Sequence, residues 1–174
     1  MDLRIFHKKD GGIVQLVDKE QMEEWPIELP LIFIEYIRDK KIDSYGDAKV
    51  EKEISAYLDE ITKDIAIPRF IGVIQGDDND EIVLALTRIE EISRKNLDMV
   101  RPIKKYLDDL ITSKIKKIKD LASKIEKNFA SAERKKKLAQ KRKIMRDKEK
   151  LFLEGKINGE EYALARKEYL TLKE

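Results

Sequence analysis

Residues 77–111 read DDNDEIVLALTRIEEISRKNLDMVRPIKKYLDDLI, and this stretch decides the fold class. Asp77, Asp78, Asn79 and Asp80 form a cap-and-turn cluster, since short carboxylates and amides accept from the open N–H groups at a helix start and complement its dipole. Ile82, Ala85, Leu86, Ile89 and Ile92 then recur at helical spacing. Asn96-Leu97-Asp98 breaks that helix and caps another, whose apolar stripe is Val100, Ile103, Leu107, Leu110 and Ile111. Pro102 is tolerated because the first turn has no intrahelical N–H to lose. Two amphipathic helices back to back predict a helical domain.

Upstream, the pattern stays helical almost to the start. Val50, Ile54, Tyr57, Leu58 and Ile61 mark a helix from about Ala48 to Lys63, and Pro68 opens a short one containing Phe70, Ile71, Val73 and Ile74. Pro30 suits the first turn of a helix burying Leu31, Ile34 and Ile37. Asp18 is placed to cap a short helix running to Trp25, and Asp43 to Asp47 reads as a loop. Residues 3–17 alone alternate like strands, around the turn residues Lys8-Lys9-Asp10-Gly11-Gly12. A lone hairpin is marginal in water, so this one must lean on helices or on a partner.

Downstream, Ile111, Ile115, Ile118, Ala122, Ile125, Phe129 and Ala132 follow a 4-3 spacing, a coiled-coil-like seam. Neither Gly nor Pro occurs from Ile103 to Glu154, which predicts one long helix. Gly155 ends it, and Asn158 with Glu161 forms a capping box for a last helix folding back on Met145, Leu151 and Phe152. The expected fold is mainly α with a small N-terminal β-hairpin. Its parts are the hairpin and short helices (1–47), a helical domain (48–112), and a long basic helix with a helical hairpin (113–174).

Composition narrows the function classes. Charged residues reach 41%, against about 25% in ordinary domains, which favours long solvated helix faces. The absence of cysteine excludes thiolate chemistry, disulfides and iron–sulfur clusters. No secretory h-region follows Met1 and no apolar run approaches bilayer length, so the expected address is cytoplasmic with no membrane partner. Residues 1–100 carry 14 Lys/Arg against 23 Asp/Glu, a balance of −9. Residues 101–174 carry 23 against 12, a balance of +11. An acidic front and a basic rear suggest a segment that meets polyanions or an acidic partner.

The basic run holds Arg134, Lys135, Lys136, Lys137, Lys141, Arg142, Lys143 and Arg146, with no acid among them. On a helix Arg134, Lys137, Lys141 and Lys148 line one side, while Leu138 and Met145 face away. Such cations would release counterions from a phosphate backbone, giving sequence-blind, salt-dependent binding; the competing reading is a solvated coiled-coil flank. No aromatic residue interleaves the run, which argues against base stacking. The seam Ile111, Ile115, Ile118, Ile125 and Phe129 is expected to pack on its own domain or on a second copy in a homodimer.

Other constellations carry less. Asp77, Asp78, Asp80 and Glu81 lack the alternating oxygen ligands of a calcium loop and read as a helix cap. His7 is the only histidine, too few for a transition-metal site. No phosphate-cradling glycine motif occurs. Adjacent acids such as Glu90/Glu91 diverge by about 100° on a helix and do not converge on a substrate. No catalytic residue, metal or cofactor is assigned.

Three resemblances bear on these readings. Residues 67–112, with the rhythm EIVLALTRIEEIS–RKN–VRPIKKYL, resemble a HEAT or armadillo-type helix pair, which implies protein binding without chemistry. LFLEGKINGEEYALARKEYLTL, within about 148–172, resembles a SHOCT-type helical hairpin through Gly155, Ile157, Glu160, Glu161, Tyr162 and Leu170, implying a docking or oligomerisation appendage. IVQLVDKEQMEEWPIELPLIFIEYI resembles the β unit and following helix of archaeal GINS replication subunits. Together they point to an adaptor with a protein partner, nucleic acid being a second partner class.

Overall fold

The computed structural model describes residues 2–40 and 45–173. It is mainly helical with a small N-terminal β-hairpin, and it divides into two compact units, Met1–Ile125 and Glu126–Glu174.

In the first unit, β1 (Leu3–His7) pairs antiparallel with β2 (Ile13–Val17), Phe6 standing opposite Val14 and Arg4 opposite Leu16. Gly11 closes the turn at φ +86°, where a side chain would strain the backbone. Phe6, Val14 and Leu16 point inward and are buried, while Leu3, Ile5 and Ile13 lie on the outer face. The inner face leans on α2 (Ala48–Ile61), as a two-stranded sheet requires. The Phe6 and Tyr57 rings meet at 5.8 Å, the Arg4 guanidinium lies over the same Tyr57 ring, and the Tyr57 hydroxyl donates to Val17 O at 2.8 Å. Burial pushes that phenol up to about 12.

Asp47 fixes the other end. Its carboxylate caps α2 by accepting from Lys49 N and Val50 N, and also accepts from Lys9 N in the hairpin turn at 2.8 Å. These N–H donors, that of Lys9 first, hold the carboxyl below its ordinary range. Asp43 and Ser44 of the expected loop lie outside the described residues. Asp18 caps a single 3-10 turn, Lys19–Met22, shorter than the expected helix to Trp25.

α1 (Leu29–Lys40) buries Leu31, Ile34 and Ile37. The chain from Ala48 to Ile74 stays helical where two separate helices were expected: α2 runs through a π-helical turn, Thr62–Ala66, into α3 (Ile67–Ile74). Pro68 supplies the reason, because it has no N–H and its ring would clash with the carbonyl four residues back; a wider turn removes the clash. The Thr62 hydroxyl, bonded to Leu58 O at 2.9 Å, settles the same turn.

Arg69 holds this region together. Its guanidinium donates to Trp25 O at 2.7 Å, to Met22 O at 2.6 Å and to Glu23 O, tying α3 to the segment that follows the 3-10 turn. Substituting Arg69→Leu strips all three at once. The expected cost is about 2–3 kcal/mol, read as a lower urea midpoint with an unchanged slope; an unshifted midpoint would show that water replaces the guanidinium.

α4 (Asn79–Lys95) starts at Asp78, whose carboxylate accepts from Asp80 N and Glu81 N at 2.9 and 3.1 Å. It packs against α3 and buries Ile82, Ala85, Leu86 and Ile89. α5 (Lys104–Ile111) contributes Leu107. The expected helix from Ile103 to Glu154 is broken at residues 112–115, before α6 (Lys116–Leu153). The break needs neither Gly nor Pro: Thr112 Oγ1 donates to Asp109 O, and Ser113 Oγ accepts from Ile115 N at 3.2 Å, so hydroxyls compete for backbone groups. As a result Ile111 and Ile115 sit off α6 and half-buried, while Ile118, Ala122, Ile125 and Phe129 are buried. The 4-3 seam is thus no single helix stripe.

The second unit comprises the rest of α6 and α7 (Gly159–Lys173). Gly155, at φ +69°, ends α6: Gly155 N bonds to Phe152 O, and Lys156 N bonds to Leu151 O. Asn158 Oδ1 accepts from Glu161 N at 3.0 Å and starts α7. Phe152 stacks on Tyr162 at 5.7 Å and 10°, the expected fold-back. No helix among the described residues is long and apolar enough to cross a membrane.

A candidate polyanion interface

The basic run falls wholly on α6, in the second unit. It forms there because Lys, Arg, Ala, Leu, Met and Gln are all good helix formers and nothing interrupts them. The helix does not present the run as one free stripe. Lys141 Nζ pairs with Glu168, Lys148 Nζ pairs with Glu161 at 2.9 Å, and Arg134 donates to Leu172 O at 3.4 Å. The two ion pairs step by seven residues along each helix in opposite senses, as in an antiparallel two-helix register. The stripe Arg134, Lys141, Lys148 therefore faces α7 and fixes the hairpin, where the sequence pattern had placed it outward. Leu138, expected to face away, lines a groove that Tyr169 of α7 also lines.

The remaining cations, Lys135, Lys136, Lys137, Arg142, Lys143 and Arg146, make no ion pair among the described residues and are exposed. Lys135, Arg142 and Arg146 share one face, a rise of about 16 Å along the axis. With Lys143 they line a groove of about 520 Å³ on the second unit, together with Leu138, Ala139, Asp147 and, from α7, Tyr169. So the structure brings an aromatic residue to the basic run from 23 or more residues away, where the sequence showed none interleaved. A helical-hairpin register of seven was the only signal in the sequence that could have placed it.

The first unit carries a competing cleft of about 310 Å³ lined from α1, α2 and α4 and by Asn96 and Met99. Its carboxylates are engaged: Asp59 with Arg38, and Glu35 and Glu91 with Arg88, which also reaches Glu28 at 3.5 Å. Glu91 foremost raises Arg88 above its ordinary value. Glu90, adjacent to Glu91, is buried and bonded to Arg94 at 2.6 Å, so the pair diverges. Among the described residues no group of three or more His, Asp or Glu side chains is placed to hold a metal.

No protein-family model matches this chain, and neither a curated protein nor a solved structure is found to be similar to it. The HEAT, SHOCT and GINS resemblances thus gain no support from relatives.

Proposed function

We propose that this is a non-enzymatic interaction protein that binds nucleic acid through the α6 cations of its second unit. The observation that carries this reading is the groove of Lys135, Arg142, Lys143 and Arg146, four cations that make no ion pair among the described residues, beside a single carboxylate, Asp147. Lys141 and Lys148 hold the hairpin, so the free cations are presented on a preformed surface and little ordering opposes binding. Nothing in the groove distinguishes one base sequence from another, so recognition is of the backbone.

The test is retention of random-sequence nucleic acid, offered single-stranded and as duplex, across a salt series. Each neutralised phosphate contributes about 0.7–0.9 to the slope of log K against log salt, so four cations predict a slope of about −3 to −4. Binding that ignores salt, or no binding at low salt, overturns the proposal.

A second reading has its own observation. Ile144, Phe152, Leu153, Leu164 and Leu170 are all exposed on the second unit, with Leu153 at 79%. Two helices cannot bury both their apolar faces, and a further pair from a second copy would complete a bundle. A molecular weight that doubles with concentration favours it. The HEAT-like and SHOCT-like expectations of a protein partner belong with this reading.

A further inference from the structure

We infer that the α6/α7 groove takes single-stranded nucleic acid in preference to duplex, with Tyr169 as the platform for one base. This rests on the nucleic-acid reading above and goes beyond it by naming the strand form. The groove has two unlike sides. Its cations all come from α6, while α7 supplies Tyr169, and Leu138 and Ala139 make the remaining floor apolar.

A duplex offers such a groove phosphates and sugars, with its bases stacked inward and no apolar surface to cover the floor. A single strand offers both: phosphates along the α6 cations, and an unstacked base turned toward α7.

Tyr169 is also the right aromatic. Phe152 and Tyr162 use their faces on each other, and Tyr162 donates to Glu149 at 3.4 Å. Tyr169 is half-buried, stacks on no other ring, and its hydroxyl is unpartnered among the described residues. Partly buried in the hairpin and lining the groove, it is placed as an amphipathic contact residue.

The experiment is fluorescence anisotropy of the full chain with oligo-thymidylate, a duplex of equal length, and heparin, repeated for Tyr169→Leu and Tyr169→Phe. Expected are tighter binding of the oligo-thymidylate than of the duplex and a loss of roughly tenfold on that strand for Tyr169→Leu. Tyr169→Phe should restore it, and neither substitution should move heparin or duplex affinity. Circular dichroism checks that Tyr169→Leu keeps its helices; if it does not, Tyr169→Trp carries the test, its indole fluorescence being quenched by oligo-thymidylate and not by heparin if a base stacks there. Equal wild-type affinity for the two strand forms, or a Leu variant unchanged on the single strand, overturns this inference while leaving salt-dependent binding in place. Absence of binding to all three ligands removes the nucleic-acid reading itself.

Discussion

Replacing Lys135, Arg142, Lys143 and Arg146 together by Glu is expected to lower nucleic-acid affinity by roughly a hundredfold or more at low salt and to flatten the salt dependence. Four attractive charges become four repulsive ones along one groove, so counterion release is lost and the backbone is repelled. The fold should survive. None of the four makes an ion pair among the described residues, Glu is as good a helix former as Lys, and exposed substitutions move stability by only about 0.5 kcal/mol. Filter binding or anisotropy reads the affinity, and thermal melting reads the fold. A contrasting variant is Lys141→Glu, which sets a like charge against Glu168 and should loosen the hairpin. Should the quadruple variant bind as the wild type does, the groove is a solvated face and nothing more.

The largest stability effect is expected at Phe70. Its side chain is completely buried on α3, against α4, in a region whose other fully buried side chains include Ile54, Leu58, Ile61, Leu86 and Ile89. Phe70→Ala removes the ring and leaves a cavity that α3 cannot close easily. The π-helical turn precedes it and Arg69, beside it, is tied to three carbonyls. The expected loss is about 3–5 kcal/mol, a large fraction of the roughly 5–15 kcal/mol that stabilises a typical domain. For a unit of this size that lowers the melting temperature by about 10–20 °C. Urea denaturation should show a lower midpoint with the same slope. A loss under about 1 kcal/mol would mean that α3 does not belong to the main core.

Both predictions rest on features legible to different degrees in the sequence. Periodicity located the helices well because burial of one face is a local pattern: Val50, Ile54, Leu58 and Ile61 recur at one spacing and all are buried. The caps at Asp78 and Asn158 were equally plain, since they act on N–H groups two or three residues away, whereas Asp47 read only as the end of a loop. Interruptions were harder. The break after Ile111 depends on Thr112 and Ser113 winning a competition for backbone groups, and composition alone does not decide which side wins. The π-helical turn before Pro68 joined two helices that a proline rule separates.

The basic run shows the same limit at the candidate site. Its position was evident from the residues, and its sorting was not. Arg134 and Lys141 bond to α7 while Lys135, Arg142, Lys143 and Arg146 make no ion pair among the described residues, a division made by partners on another helix. Arg69 gave no local sign of its role, because the carbonyls it fills lie more than 40 residues away.

By itself the sequence determined the helical class, the hairpin, the helix starts and the position of the charge, because each is written in neighbours within a turn or two. Only the tertiary structure decided which seam residues are buried, which cations are free, and that Tyr169 stands at the basic groove. Those outcomes depend on register between distant segments, where side chains compete for the same partners, and no local spacing encodes that competition.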